Sequence, residues 1–394
     1  MGLARELVYG TPVLPTQFVP FSDNTIERDP GLFFPSVMTG SRDSQIFPVY
    51  GQEKDNGSIG APLFPTNGVL ALVASIGGDA QPGYGVTGTP GGGVNTTLSG
   101  GLSAGAYALT VASATGIVAG QTVIQIDTNN VSQPFTSECR LVTIVVGNVL
   151  TLSSPLTYPH NNGVAVKSVV APYTHSIVQL SILPSLTIEK NIGGFQSLQF
   201  GGCRMNKYSL KGQATDTEAT FTADVVAQSY AILNSPSALS IIDEEPFVFA
   251  EFTLTWDGGV LAQATNFQLD IDNMLKPTWT LNGSHELQFN PATGLHVNGS
   301  LDAVWDSLTD PTYGYFTDIT NGTEGALSFA LTHPSSAGSI TVNMPNVRLA
   351  KDQIPPKMND VVMETINFEA RRSLSASPSV TLSATIIDNT YLPF

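Results

Sequence analysis

The chain has few charged residues and few cysteines. Only 12% of its 394 residues are Asp, Glu, Lys or Arg, and its two cysteines are Cys139 and Cys203. The cysteines lie far apart and form no CxxC or Cys/His pattern, so they predict buried free thiols rather than a metal site. There is also no run of about eighteen apolar residues and no apolar core of a signal peptide. We therefore expect a protein without a membrane span, made in a reducing cytoplasm.

Basic residues are scarcer than acidic ones. The chain has 16 Lys and Arg against 32 Asp and Glu, which gives a formal net charge of −16. Proteins that grip nucleic acid or an anionic membrane carry clustered positive charge, so this balance argues against both functions. It leaves open the transient passage of DNA.

Glycine and proline are plentiful, at 37 and 26 residues. Thr, Ser and Val are spread along the whole chain. This composition is typical of many short strands joined by turns, so the sequence predicts a mainly β protein. Its length suggests two domains, each able to bury its own core.

Two segments predict helices. The stronger is GVLALVASIG (68–77), which Thr66 or Asn67 could cap and which paired glycines end, giving a helix of about eleven residues. The second is Leu308–Gly322. One face of the first helix would present Leu70, Val73 and Ile76 to a sheet.

Residues 1–40 combine prolines with isolated aromatic residues and show no sustained periodicity. They predict an extended N-terminal arm whose apolar side chains are buried on a neighbouring subunit. The alternative is a loop packed on its own domain. The candidate assembly residues of the arm are Phe18, Phe21, Phe33 and Phe34.

A Gly/Pro-rich stretch, residues 79–95, indicates a domain junction. After it, residues 94–169 contain only four charged residues and several short alternating strands. We interpret residues 91–169 as a small all-β domain inserted in a surface loop, and we expect it on the outer surface. The core domain is then discontinuous, comprising residues 41–90 and 170–394.

The most informative pattern is the segment Leu198–Val226. Phe221, Ala223 and Val225 alternate with polar residues after a polar turn, which predicts a long half-buried hairpin. A later segment, Asn266–Gly283, alternates in the same way. Sheets of this kind bury one face and expose the other to water.

No constellation predicts catalysis. The five histidines are separated and stand in no HExxH motif, Gly91–Gly93 lacks the Lys-Ser/Thr of a phosphate loop, and no GxSxG elbow occurs. Asp270 and Asp272 could share one strand face as cation ligands, but no third acidic ligand follows at a defined offset. We expect no enzyme activity, no metal and no cofactor.

Three segments, Gly40–Pro65, Leu183–Gly212 and Asn266–Pro291, resemble the major tail tube proteins of long-tailed, siphovirus-like bacteriophages in content and order. The resemblance covers about residues 22–90 and 170–390. It implies a β-sandwich or barrel with a flanking short helix, to which this chain adds the inserted β domain. The family assembles as hexameric rings whose inner sheets join into one barrel around a channel.

The resemblance implies a structural virion protein that is part of the phage tail. Its partners would be further copies of itself, the tape measure protein and the tail terminator protein, with double-stranded DNA passing through unbound. Candidate lumen-facing carboxylates are Asp216, Glu218, Asp224, Asp270 and Asp272. The alternatives are another virion β-protein, such as a capsid decoration or baseplate component, and a carbohydrate-binding or adhesin module.

Overall fold

The computed structural model describes residues 1–38, 42, 47–78, 85–129, 136–215, 218–261, 263–304, 322–334, 338–353, 361–374, 380–392 and 394. These residues form antiparallel strands, one short α-helix and one turn of 3-10 helix, so the predicted mainly β fold is confirmed. The predicted helix Leu308–Gly322 lies, except for its last residue, outside the described residues.

The first half of the chain contains the helix α1 (Val69–Ile76) and eighteen strands. The strands are β1 (Gly2–Arg5), β2 (Gln17–Phe18), β3 (Asp23–Asn24), β4 (Glu27–Asp29), β5 (Leu32–Phe33), β6 (Val49–Tyr50), β7 (Lys54–Pro62), β8 (Gly77–Gly78), β9 (Val86–Thr97), β10 (Ala108–Thr110), β11 (Val123–Ile126), β12 (Glu138–Val146), β13 (Val149–Leu152), β14 (Ala165–Gln179), β15 (Leu186–Ile192), β16 (Gln196–Gln213), β17 (Thr220–Ala227) and β18 (Ser229–Leu233).

The second half of the chain begins with the 3-10 turn at Phe249–Glu251. The strands that follow are β19 (Phe252–Trp256), β20 (Gly259–Val260), β21 (Ala264–Asp272), β22 (His296–Val304), β23 (Glu324–Thr332), β24 (Ser339–Gln353), β25 (Met363–Ala370) and β26 (Ser383–Asp388).

One antiparallel array forms the centre of the molecule. Its strands lie in the order β4, β7, β17, β16, β21, β22, β25 and β24, each hydrogen-bonded to the next. The apolar residues of these strands alternate onto one face and form the main core, where Phe267 packs between Phe329 and Phe368 at ring-centroid distances of 4.9 and 6.0 Å. The opposite face of the array carries the polar residues.

Strand β16 changes neighbours at Gly201 and Gly202. It pairs with β18 up to Gly201 and with β15 up to Cys203, and it then pairs with β17 from Arg204 and with β21 from Lys207. Gly202 has φ +64°, and a Cβ there would lie 2.6 Å from Cβ of Gln228. A Cβ on Gly201 would lie 2.9 Å from side-chain atoms of Pro12 and Ser229. The Gly-Gly pair therefore permits the close approach at which the strand passes from one sheet to another.

The helix α1 is shorter and more deeply buried than predicted. It begins at Val69 after Gly68, which has φ +94°, and neither Thr66 nor Asn67 supplies a side-chain cap. Instead the carboxylate of Glu244 accepts hydrogen bonds from the backbone N–H groups of Thr66 and Asn67. All eight helical residues are buried, so the helix is enclosed on every side rather than amphipathic.

The expectation of an N-terminal arm without its own fold is wrong for the first residues. Strand β1 pairs with β15, and Leu3 is fully buried in the main core. Phe18 is also buried, at 7% exposure, next to the fully buried Val19. The segment therefore packs on its own domain, because its apolar side chains are buried in the main core. Residues 31–38 differ, since their apolar side chains are exposed.

The segment expected to be an inserted domain has its own apolar cluster, built around Ile124, Val142, Leu150 and Val166. Strands β10 to β13 lie within it, but β9 and β14 run through both expected boundaries. Strand β14 continues into the core domain, where it pairs with β26. The two parts are thus joined through a shared strand pair.

Candidate functional site

The long hairpin and the later alternating segment lie side by side in the sheet. Strands β17, β16, β21 and β22 are neighbours, and every second residue of each points to a water-accessible side that we call the polar face. The polar face consists of Lys207, Ser209 and Lys211 on β16, Thr222 and Asp224 on β17, Gln268, Asp270 and Asp272 on β21, and His296, Asn298 and Ser300 on β22.

The opposite side of the same strands is apolar. Tyr208 and Phe221 stack with ring centroids 5.4 Å apart, and both are at most 2% exposed. Leu269, Ile271 and Val297 are buried beside them. Because side chains alternate between faces, this packing fixes which residues belong to the polar face: a slip of one residue would place carboxylates in the core.

The register of the four strands brings acidic and basic groups into rows. Lys207 lies opposite Asp224 on β17 and opposite Asp272 on β21. Its Nζ atom is 3.5 Å from Oδ2 of Asp272. Ser209 forms the next row, opposite Thr222 and Asp270. Three of the five candidate lumen carboxylates are thereby brought together on one surface.

Two of these carboxylates are held by local hydrogen bonds. Gln268 donates its Nε2–H groups to Asp270, at 2.8 and 3.0 Å. Asp272 accepts a hydrogen bond of 2.9 Å from the backbone N–H of Met274. These bonds orient the carboxylates without neutralising them, so the charge on Asp270 stays on the surface.

The polar face forms an open groove of about 450 Å³. Three carboxylates and a single lysine line it, together with His296 and neutral polar side chains, so the groove has a net negative charge. Among the described residues, no three His, Cys, Asp or Glu side chains are arranged to hold a metal ion. The arrangement offers repeated negative charge over a hydrated surface rather than a reaction centre.

Two further carboxylates, Asp216 and Glu218, were candidates for the lumen. Asp216 lies outside the described residues. Glu218 is half-buried in the turn before β17 and is not part of the rows. Glu218 therefore does not share the polar face in the way that the strand residues do.

A second surface is apolar. Strands β5 and β6 form a separate two-stranded ribbon, away from the main sheet. We call residues 31–38 and 47–51 the apolar ribbon. Phe33 and Phe34 are each 51% exposed, and Phe21, nearby in sequence, is 38% exposed. Further exposed apolar side chains of the ribbon, which the sequence pattern did not single out, are Leu32, Val37, Met38, Phe47 and Tyr50.

Comparison with known proteins places the chain in a family. No helix in the described part of the chain is long and apolar enough to cross a membrane. No curated protein matches the chain. A family model described as phage tail tube protein matches residues 1–370, almost the whole sequence. With its mainly antiparallel β fold and its large polar sheet face, the chain belongs to the phage tail tube protein family.

Proposed function

We propose that the protein forms rings that stack into the tube of a phage tail, and that the polar face lines the channel through which DNA leaves. The observation that carries this proposal is the clustering of Asp224, Asp270 and Asp272 in two neighbouring rows on one face of the sheet. A continuous sheet with one apolar and one carboxylate-rich face suits a channel wall, because it buries one side and keeps the other hydrated.

The sign of the charge supports a conduit rather than a binding site. A lumen with repeated Lys or Arg would make phosphate contacts in every ring, and even six to ten such contacts produce strong, salt-dependent binding. Carboxylates repel the phosphates instead. DNA can then slide past the wall without being held at any one position.

The apolar ribbon is the surface proposed to contact a neighbouring subunit. Exposed clusters of large apolar side chains mark interaction sites in soluble proteins. Phe33 and Phe34 lie on a ribbon whose two strands pair, in the described part of the chain, only with each other, so it can contact a neighbour without disturbing the core. In the tail, further contacts would be made with the tape measure and tail terminator proteins after assembly in the host cytoplasm.

Negative-stain electron microscopy of the purified protein tests the proposal. Hollow rings or tubes are the expected result, at concentrations in the micromolar range or after nucleation with tail tips. A protein that stays monomeric by light scattering under all these conditions would contradict the proposed function. The same micrographs would show a capsid decoration or baseplate protein as particles without stacking.

A further inference from the structure

The strand pairings of the chain occur twice in the same pattern. In the first half, the pairs are β1–β2, β1–β15, β4–β7, β7–β17, β15–β16, β16–β17 and β16–β18. In the second half, the pairs are β19–β20, β19–β23, β21–β22, β22–β25, β23–β24, β24–β25 and β24–β26. The order along the chain is also the same. Among the described residues, β3, the β5–β6 pair and the segment from β8 to β14, which includes the insert, have no counterpart in the second half.

The registers show that the correspondence extends to single residues. Strand β7 pairs with β17 over eight residues, from Asp55 to Pro62, and β22 pairs with β25 over eight residues, from Val297 to Val304. Superimposing these registers aligns Asn56-Gly57-Ser58-Ile59-Gly60-Ala61 with Asn298-Gly299-Ser300-Leu301-Asp302-Ala303. Four of the six residues are identical, and the fourth position is Ile or Leu. The two glycines permit similar close approaches: a Cβ on Gly57 would lie 2.5 Å from backbone atoms of Thr25 and Ile26, just before β4, and a Cβ on Gly299 would lie 2.1 Å from the carbonyl oxygen of Gln268 on β21.

A second match follows from the central strands. Aligning the β16–β17 register with the β24–β25 register places Arg204-Met205-Asn206-Lys207 on Arg348-Leu349-Ala350-Lys351. Both strands have a register shift at the third residue of this motif. Both strands also change one neighbour just before this motif. Strand β16 passes from β18 to β17, and β24 passes from β26 to β25. An Arg and a Lys therefore occupy the same two positions on either side of the same bulge in both units.

We infer that the chain is a tandem duplication of one β unit, and that a tube ring is made of three chains joined edge to edge by the same strand pairing that joins the two units within a chain. This inference rests on the proposed function. The internal joint is the β16–β21 pair, which runs for seven residues from Lys207–Asp272 to Gln213–Asn266. In this pair, the edge strand of the first unit, β16, is hydrogen-bonded to the edge strand of the second unit, β21.

The two outer edges of the central array are the counterparts of that joint. In the described residues, β4 pairs with β7 on one side only, and the end of β24 beyond Leu349 pairs with β25 on one side only. Lys190 donates to the carbonyl oxygens of Asn24 and Ile26, which covers the edge just before β4. The open stretch is therefore Glu27–Asp29 on one edge and 351–353 on the other. Unpaired edges of this kind are ready to pair with another chain.

The residues at these edges match those at the internal joint. Glu27 lies opposite Asn56 on β7, and Asp270 lies opposite the equivalent Asn298 on β22. Glu27 therefore corresponds to Asp270, and by the same register Asp29 corresponds to Asp272. Lys351 holds the position of Lys207. The joint between two copies would thus set Lys351 of one chain opposite Asp29 of the next, as Lys207 lies opposite Asp272 within the chain. It would also bring the Glu27 and Asp29 carboxylates into the same rows as Asp270 and Asp272.

The width of the array supports three chains. Eight strands spaced by about 4.8 Å and tilted by roughly 40° span about 50 Å of wall. Two chains would close a barrel of about 16 strands, the size of a porin channel, whereas three would give a backbone diameter of about 48 Å. Three is the smallest number that leaves room for a duplex after side chains are subtracted. The ring then has six equivalent units although it has only three chains.

Native mass spectrometry of isolated rings tests the stoichiometry. A ring of three chains has three times the 41.6 kDa mass of the chain, and reconstructions by cryo-electron microscopy should show three-fold symmetry with a pseudo-six-fold arrangement. Rings of six chains would overturn this inference while leaving the proposed function intact. A protein that forms no rings at all would overturn both.

Charge exchange tests the edge itself. Asp29→Lys and Lys351→Asp, each alone, should reduce the fraction of assembled rings at least tenfold, because each places like charges opposite one another. The double variant should regain most of the assembly. Asp243→Lys, at an exposed position outside the sheet, is the matched control and should assemble normally. Thermal unfolding of the monomers should change little, with a small loss for Asp29→Lys because Asp29 accepts a hydrogen bond from the backbone N–H of Gly31. A single exchange that assembles like the unmodified chain would overturn the proposed edge contact.

Discussion

Lys207 and Asp272 face each other across the β16–β21 pair, with Nζ 3.5 Å from Oδ2. The pair is largely exposed on its lysine side, so its contribution to stability is small, on the order of 0.5 kcal/mol. The pair matters because of where it places the lysine charge. It places the only lysine of the groove between Asp224 and Asp272 in one row, so that the net charge of the groove depends on very few residues.

The first prediction concerns that charge. Changing Asp224, Asp270 and Asp272 together to lysine should leave rings and tubes assembling but make the tubes retain DNA. Retention should weaken steeply as salt rises, because each new phosphate contact releases counterions. Filter binding of double-stranded DNA to assembled tubes at several salt concentrations measures it.

The matching asparagine triple variant is the control for this experiment. It removes the negative charge without adding positive charge and should bind DNA no more than weakly. If the lysine variant assembles normally and still ignores DNA at low salt, the polar face does not line the channel.

The second prediction separates two groups of phenylalanines. Changing Phe33 and Phe34 to serine should weaken assembly while leaving the thermal midpoint of the subunit nearly unchanged, since both side chains are half exposed. Changing Phe18 to serine should instead cost roughly 3 kcal/mol or more of folding stability, because it removes a buried aromatic ring. Light scattering and urea unfolding distinguish the two effects. Loss of stability in the Phe33/Phe34 variant would show that the ribbon belongs to the fold.

The third prediction concerns a buried carboxyl group. Asp55 is 2% exposed, and neither of its carboxylate oxygens has a hydrogen-bond partner among the described residues. Burial, assisted by the negative charge of Glu53, raises the pKa of Asp55 to about 7. The folded-state pKa lies above the unfolded value, so the stability associated with the protonated group is complete below about pH 4 and is lost as the pH rises toward 7.

The Asp55→Asn variant checks this relationship. Its free energy of unfolding, relative to that of the unmodified chain, should increase by up to about 1.4 kcal/mol per pH unit between pH 4 and 7 and then level off. Val297 occupies the corresponding position of the second unit, so Asp55→Val is a useful second variant. A stability difference that does not change with pH would mean that Asp55 is ionised in the folded protein throughout this range.

The fourth prediction concerns Tyr208. Its ring stacks on Phe221, and burial raises the pKa of its hydroxyl group. The hydroxyl oxygen has no hydrogen-bond partner among the described residues. Tyr208→Phe should therefore stabilise the protein by about 1 kcal/mol, because it removes a buried polar group that is not satisfied. Urea unfolding measures this, with the exposed Tyr50→Phe as control, and a clear loss of stability would reveal a partner for the hydroxyl.

The fifth prediction concerns the expected insert. Thr89 lies opposite Val170 in the β9–β14 pair, so the two can be joined by an Asn-Gly turn that closes a short hairpin. The shortened chain should fold and form tubes. Its thermal stability should fall somewhat, because Cys139 of the removed segment packs with Val86 and Tyr173. Folding without assembly would show that the segment makes contacts between subunits.

Local patterns of the sequence predicted local structure well. Phe221, Ala223 and Val225 are buried and Thr222 is exposed, as their alternation predicted, because strand geometry alone sends successive side chains to opposite faces. Asp224, Asp270 and Asp272 were among the five candidate lumen carboxylates, with Asp216 and Glu218, but the sequence did not show which face they occupy. It could not show that β16 and β21 are neighbours, since that pairing joins segments about sixty residues apart.

The errors came from contacts between distant parts of the chain. Leu3 is buried because it lies opposite Ile188, and α1 starts at Val69 because Glu244 satisfies the N–H groups before it. Neither partner can be identified from the residues around Leu3 or Val69. The Asn-Gly-Ser motif of the two units was present in the sequence, but such short repeats are common in glycine-rich β proteins. Only the strand registers, which fix which residues are equivalent, gave it meaning.

The amino-acid sequence by itself determined the class of the protein. Its charge argues against tight binding of nucleic acid, and its composition and alternation specify strands. The order of its segments matches the tail tube family. These properties depend on single residues and their near neighbours. The tertiary structure alone decided which carboxylates share a face, which phenylalanines are buried and which strand edges stay open. Those outcomes depend on long-range pairing, in which burying a common apolar face selects one register among many that the local pattern allows.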